Sequence, residues 1–180
     1  TISLLSIFLM ANGVSAIFSG FEHSYHEQLT RNFFKQYLYA LGVALILAFL
    51  VVFTVGVLFY TQIYIVTPLY EGLSGQDIEE SQSGIFWLAM AKYVFFIIMI
   101  YIATATLYYF GTREGRHSRF FSIGALFTTL LILLTSYLFG VYIENFSRYN
   151  ELYGSIGALL ILLFYLWLNS NILLLGFELN

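Results

Sequence analysis

The chain of 180 residues has no cysteine, a single proline and very few charges: seven Lys and Arg and ten Asp and Glu, together 9% of the sequence. The lack of cysteine excludes a disulfide framework, a thiolate nucleophile and a thiolate metal site. With Pro68 the sole proline and the glycines spread along the chain, no linker marks a boundary, so residues 1–180 read as a single transmembrane domain. Soluble domains carry about 25% charged residues. A chain that is 60% hydrophobic, with a mean hydropathy of +0.84, lies outside that class and reads as an integral membrane protein.

The side chains of familiar enzyme sites are equally scarce. His23 and His26 have the spacing of two zinc ligands, but His117 is the only other histidine and a zinc site needs three or four ligands, so no metal and no cofactor is expected. Asp77 is the only aspartate, and no histidine falls inside an apolar run, which removes the aspartate pair or serine–histidine pair of an intramembrane protease. H-E-x-x-H, G-x-S-x-G and glycine-rich phosphate loops are absent. The chain is expected not to be an enzyme.

What the sequence does have is long uncharged runs. Thr1 to about Gly20, Tyr37 to Val66, Gly84 to Gly111 (interrupted by one charge, Lys92), Phe120 to Ile143 and Tyr153 to Phe177 are each long enough, at 1.5 Å per residue, to cross or nearly cross a hydrocarbon core of roughly 30 Å. The fold class is therefore all-α, a polytopic transmembrane helical bundle with about five spans. Phe21 to Gln36, which mixes Glu22, His23, His26, Glu27, Arg31 and Lys35 with apolar residues at helical spacing, is expected to be a short amphipathic helix at the interface. Thr67 to Ser83 reads as an acidic loop and Glu144 to Glu151 as the turn into the last span.

Placement of cations sets the expected orientation. The interfacial segment and the tight loop TREGRHSR hold Arg31, Lys35, Arg113, Arg116 and Arg119, whereas the acidic loop holds none. Cations gather on the cytoplasmic side, so these segments and the C-terminus are expected inside, and the five residues become candidates for contact with anionic headgroups. The chain starts without Met and without a basic flank, so a further helix upstream is expected. Tyr60, Tyr64, Tyr70, Tyr142, Tyr149 and Tyr153 are expected in an outer aromatic belt, with Tyr37, Tyr39, Tyr108, Tyr109 and Phe121 in an inner one.

Small and polar residues within the spans supply the candidate sites. Ladders such as Ala11, Ser15, Ser19 and Asn12, Ala16, Gly20, and the stripe Ala125, Thr129, Ser136, Gly140, suit close helix contact; Gly13, Ala16, Gly20, Gly42, Gly56, Gly140, Gly154, Gly157 and Gly176 are the expected packing positions. Lys92 lies about 12 Å from the start of its span, where it either snorkels, pairs with an outer acid such as Glu144, or binds an anionic substrate. In the last span Asn169, Ser170 and Asn171 follow one another. Gly157, Phe164, Asn171 and Glu178 recur every seven residues on one stripe, opposite Asn169 and Gly176. Lys92, Asn169, Asn171 and Glu178 are thus the substrate or cavity candidates, with inter-helical packing as the competing reading of the asparagines.

Three stretches resemble the YihY and BrkB family of bacterial inner-membrane proteins, which also carries the label ribonuclease BN-like. They are ANGVSAIFSGFEHSYHEQLTRNFF, with Gly13, Val14 and Ala16; the aromatic-rich helix ending in Arg113, Arg116 and Arg119; and the closing motif of Tyr153 to Gly157 with Leu174 to Gly176 and Glu178 to Asn180. The resemblance implies about six transmembrane helices in the bacterial cytoplasmic membrane with both termini inside, of which the first and a hydrophilic tail lie outside this chain. It further implies a role in the cell envelope, in some members the export of lipid precursors. Ribonuclease chemistry is not expected, because a hydrolytic zinc nuclease needs a histidine and aspartate cluster that the three histidines do not supply. The expected function is a transporter, or transport partner, for a lipid-like or other amphiphilic envelope molecule; the alternative is a non-catalytic scaffold. The expected partners are membrane lipids and an envelope lipid substrate, or a partner protein or second copy of the chain, and no nucleic acid.

Overall fold

The computed structural model describes residues 2–24, 33–67, 78–111 and 120–180, with side chains described for 5–22, 34–67, 86–111, 120–144 and 157–180. Among these residues every regular element is helical. They are α1 (Ile2–Ser24), α2 (Phe33–Thr61), α3 (Ile78–Gly111) and α4 (Ile123–Glu178), and α2 runs on into a π-helical segment, Gln62–Val66. Five segments are long and apolar enough to cross a membrane: Leu5–Glu22, Phe34–Val66, Phe86–Gly111, Ile123–Glu144 and Gly157–Glu178. The all-α transmembrane architecture is as expected.

Element boundaries differ from the sequence reading in informative ways. The expected interfacial helix is partly absorbed by its neighbours, since α1 continues to Ser24 and α2 begins at Phe33. The remainder of that segment, with Arg31, lies outside the described residues, as do Pro68 to Asp77 and the tight loop with Arg113, Arg116 and Arg119. The acidic residues Glu79 and Glu80 belong to the start of α3 rather than to a loop. No break in helical assignment appears at the turn expected over Glu144 to Glu151. A straight helix of 56 residues would measure about 84 Å. Yet the Ser136 hydroxyl meets that of Tyr165 at 2.7 Å, Phe139 and Tyr165 rings lie 4.7 Å apart, and Gly124 abuts Gly176. These contacts require α4 to fold back on itself near about residue 150, giving two antiparallel arms, Ile123–Glu144 and Gly157–Glu178. Ser122 opens the first arm as its N-cap, its hydroxyl accepting from the Ala125 amide at 3.2 Å.

α1 packs on α2, α2 on α3 and α3 on α4, while α1 also reaches α3 and α4 and closes the set. The core is concentrated at one end, where α1 and α3 finish, α2 begins and both arms of α4 meet. Val14, Phe18 and Phe21 of α1, Ala40, Val43 and Ala44 of α2, Ala105, Leu107 and Tyr108 of α3, and Ala125 of α4 form a single buried cluster there. We call this the closed end. Toward the other, open end, side chains such as Val52, Tyr60, Trp87, Tyr137 and Leu160 face outward. In a bilayer lipid tails satisfy such surfaces, so helix association depends on close packing and hydrogen bonds, not on hiding apolar area from water.

Which face packs is where the small-residue ladders mislead. In α1 the buried face is Ala11, Val14, Phe18 and Phe21, whereas Asn12, Gly13 and Ala16 are exposed. Large side chains fill the interface and the small ones turn away. A Cβ at Gly13, Gly42, Gly56 or Gly140 would meet nothing within 4 Å, so the packing role expected of these four has no counterpart inside this chain. The stripe on the first arm of α4 divides: Ala125 and Thr129 are buried near the closed end, Ser136 and Gly140 are exposed toward the open one. Tyr108, expected in an aromatic belt, is instead buried in the core because its helix rotates it between α1 and α4.

Candidate functional site

The closed end is held by a knot of aromatic rings and glycines. Phe21 of α1 stacks on Phe177 of α4 with centroids 4.3 Å apart, and Tyr108 of α3 meets both rings edge-on at 5.6 and 5.7 Å. Such pairs add about 0.5–1.5 kcal/mol each beyond their contact area. Three glycines admit the rings and hydroxyls. A Cβ on Gly111 would stand 2.7 Å from the Phe21 ring, one on Gly176 would collide with the Thr128 hydroxyl and approach the Tyr108 hydroxyl to 2.7 Å, and one on Gly124 would strike the Gly176 carbonyl oxygen. The two arms of α4 therefore touch backbone to backbone, which only glycine allows at that separation.

Through this slot Tyr108 ties three segments. Its hydroxyl lies 2.5 Å from Thr128 Oγ1 and 2.8 Å from the Leu173 carbonyl, and Thr128 Oγ1 lies 2.9 Å from the Gly124 carbonyl. Two protons serve three contacts. Tyr108 donates to the Leu173 carbonyl or to Thr128, and Thr128 donates to the Gly124 carbonyl or to Tyr108, so at most two of the three contacts carry a proton at once. Sequence reasoning picked out Gly176 but missed Tyr108, Thr128, Gly111 and Gly124. The signal that points to them is a pair of buried hydroxyls facing two glycines, visible only once the helices are placed.

Toward the open end the arms of α4 part around a lateral groove of about 860 Å³. Its walls are Leu134, Thr135, Leu138, Phe139 and Tyr142 on one arm and Gly157, Leu160, Ile161, Phe164 and Leu168 on the other. This is an apolar trough with a hydroxyl on each of two wall residues. Gly157 and Phe164 belong to the seven-residue stripe, so the groove-facing stripe runs on to Asn171 and Glu178, both exposed. The Asn171 amide donates to its own helix at the Trp167 carbonyl, 2.7 Å away, and Ser170 does likewise to Leu166. Asn169 lies on the other face with Nδ2 on the Tyr165 carbonyl at 2.9 Å, and its Oδ1 is buried with no hydrogen-bond partner among the described residues.

The remaining candidates are scattered. Lys92 donates to Gln62 Oε1 at 2.7 Å rather than pairing with Glu144, which is exposed. Lys35 is exposed at the start of α2. A Cβ on Gly20 would stand at an ordinary 3.4 Å from Leu174, and with Ala16 and Ser170 this glycine borders a smaller cavity of about 200 Å³ between α1 and α4. Gly154 lies in α4 with its surroundings outside the described side chains. Lys92, Asn169 and Asn171 thus do not converge on one pocket. Among the described residues no group of three His, Cys, Asp or Glu is placed to hold a metal ion.

Helices of this length and polarity, arranged around an apolar groove, define a polytopic all-helical membrane protein. The chain belongs to the BrkB family: the family described as Virulence factor BrkB matches residues 3–180. It is similar to the putative ribonuclease-like protein YfkH of Bacillus subtilis (strain 168), at 26% identity over 98% of this chain and 62% of that protein. A UPF0761 membrane protein of Psychrobacter sp. (strain PRwf-1) is 27% identical over 77% of this chain and 26% of its own length. UPF0761 membrane proteins of Xanthomonas oryzae pv. oryzae are 42% identical over 29% of the chain and 12% of their own length. The chain thus spans less than two thirds of the relatives it matches. No solved structure matches it.

Proposed function

We propose that the chain forms the membrane domain of a transporter, or transport partner, for an amphiphilic envelope molecule. The observation that carries this reading is the lateral groove between the arms of α4. Its apolar walls suit an acyl chain, and the same helical stripe continues into Asn171 and Glu178, polar groups placed where a headgroup would pass. The closed end packs the far ends of the two arms together, and the groove lies between that packing and the turn near about residue 150. In this reading the C-terminus and the closed end face the cytoplasm of the bacterial inner membrane, where Lys35, Arg31, Arg113, Arg116 and Arg119 would gather anionic headgroups. The chain acts by binding and moving lipid, not by hydrolysis. The ribonuclease-like wording in the name of the Bacillus relative is not carried over, because hydrolysis of RNA would need a metal or acid–base cluster that the three histidines cannot build.

Reconstitution of the full-length protein into liposomes with a fluorescent phospholipid tests this. Wild type is expected to expose more inner-leaflet probe to an external quencher than protein-free liposomes do, and Leu138→Trp or Leu160→Trp, which fill the groove, are expected to return the signal to background. Equal signals from wild type and empty liposomes, or full activity in both filled variants, would defeat the proposal.

A second reading, a scaffold, is favoured by one observation: Gly13, Gly42, Gly56 and Gly140 lie on outward faces with room beside them. Such faces suit a partner helix or a second copy. Crosslinking in membranes that captures a partner through these positions, from a protein that moves no lipid, would select it.

A further inference from the structure

Lys92 and Gln62 sit at one level near the open end. Lys92 is eight residues inside the apolar run that begins at Gly84, about 12 Å, and Gln62 is four residues from the end of Phe34–Val66, about 6 Å. Tyr60, Tyr64, Trp87 and Tyr93 expose their rings around this level, which is where aromatic side chains meet the boundary between hydrocarbon and headgroups. By extending its aliphatic stem toward that boundary, the lysine can carry its ammonium up toward the lipid phosphates, beside Gln62 of the adjacent span.

Its partner does not neutralise it. An ammonium carries a unit charge and three donors, and the Gln62 amide accepts one donor and cancels no charge. Among the described residues no carboxylate pairs with Lys92. Lys92 is only half-buried and Gln62 is exposed, so two ammonium N–H groups and the Gln62 Nε2 donors can be reached from the lipid side. The backbone is specialised at the same place. α2 changes there to π-helical register over Gln62–Val66, with the Thr67 amide and the Thr67 hydroxyl, at 3.0 Å, both returning to the Gln62 carbonyl. A π turn costs hydrogen-bond geometry and re-aims the side chains around it, and such turns are frequent at functional sites.

We infer that Lys92 and Gln62 form a binding site for the phosphodiester of an anionic membrane lipid in the leaflet at the open end. Gln62 Oε1 holds the ammonium, and the phosphate oxygens accept from the remaining Lys92 donors and from Gln62 Nε2. One phosphodiester charge matches one lysine. The site stands apart from the α4 groove and does not depend on lipid being moved: a protein that binds lipid here yet transports none would sink the transport reading alone.

Native mass spectrometry of the full-length protein, titrated with phosphatidylglycerol, phosphatidylcholine and inorganic phosphate, tests it. Phosphatidylglycerol is expected to bind in preference to phosphatidylcholine, whose own cation already neutralises its phosphate. Lys92→Gln should weaken phosphatidylglycerol about five- to tenfold, and Lys92→Arg should restore most of it. Gln62→Glu sets a carboxylate against the ammonium and should weaken lipid binding to the same extent without lowering the melting temperature, which separates lost binding from lost folding. Unchanged phosphatidylglycerol affinity in both Lys92→Gln and Gln62→Glu would overturn the site. Equal affinity for the two lipids, or displacement of phosphatidylglycerol by equimolar inorganic phosphate, would overturn its lipid specificity.

Discussion

The two ends of the α4 hairpin are built from the same kinds of residue and behave differently. At the closed end Gly124 and Gly176 bring the arms into backbone contact, and Tyr108 of α3 and Phe21 of α1 lock across them. At the open end Gly140 has nothing within 4 Å, Gly157 borders the groove, and the arms are joined by the Ser136–Tyr165 hydroxyl contact and the Phe139–Tyr165 ring pair. A glycine is thus a packing device only where a neighbouring segment supplies something to fill its slot, as Gly176 and Asn180 do at Gly124 and Phe21 does at Gly111. Without such a neighbour the same residue lies on an open face, as Gly140 does. In a membrane, where apolar area alone gives little drive for helices to associate, this difference decides which end is tightly packed and which end, next to the turn that joins the arms, carries the groove.

The largest effect is expected from filling the slot. Gly176→Val places branched carbon on the Thr128 and Tyr108 hydroxyls, and overpacking of this kind should cost about 3 kcal/mol or more, read as loss of the folded fraction in detergent unfolding. Tolerance of valine there would break the comparison at its firm end. Phe21→Ala removes the ring shared by α1, α3 and α4 and should cost about 2–4 kcal/mol in the same measurement. Tyr108→Phe keeps the ring and removes the bridge to Thr128 and Leu173; about 1 kcal/mol is expected, the scale of inter-helical hydrogen bonds in membranes. At the open end Gly140→Ala should change monomer stability by less than about 0.5 kcal/mol, since the added methyl meets nothing. A change in oligomeric state with Gly140→Ala would instead show that a second copy covers that face. The smallest effect is expected at Asn169→Leu, which removes a buried oxygen that has no partner among the described residues and should be neutral or slightly stabilising.

Much of the fold was legible in the sequence for a simple reason: the length and hydropathy of a span are local properties. All five spans lie where the apolar runs are, and the folding back of α4 falls where Glu144 to Glu151 interrupts the apolar pattern. Helix rotation is not local, and there the sequence ran out. Tyr108 and Tyr109 are neighbours in one aromatic run, yet only Tyr108 is turned onto the knot. Gly56 and Gly111 both lie in apolar spans, but Phe21 arrives only at Gly111. The closing stretch GFELN was recognisable as a motif, whereas its physical content, Gly176 and Phe177 clamped by Thr128, Tyr108 and Phe21, depends on residues some fifty and more positions away. Lys92 was legible as an unusual cation but not as a partner of Gln62, because the π segment that presents Gln62 has no sequence mark of its own.

The contrast between a tightly packed end and a grooved end can be measured directly with paired spin labels, for which the lack of cysteine in residues 1–180 leaves a clean background in this region. One pair, Leu126→Cys with Leu175→Cys, sits on exposed positions beside the knot, and the other, Tyr137→Cys with Leu163→Cys, sits on exposed positions beside the groove. In lipid nanodiscs the pulsed electron paramagnetic resonance distances should be narrow and insensitive to added lipid for the first pair, and broad and lipid-dependent for the second. Distributions of equal width at both ends, or a broad distribution confined to the pair beside the knot, would contradict the account.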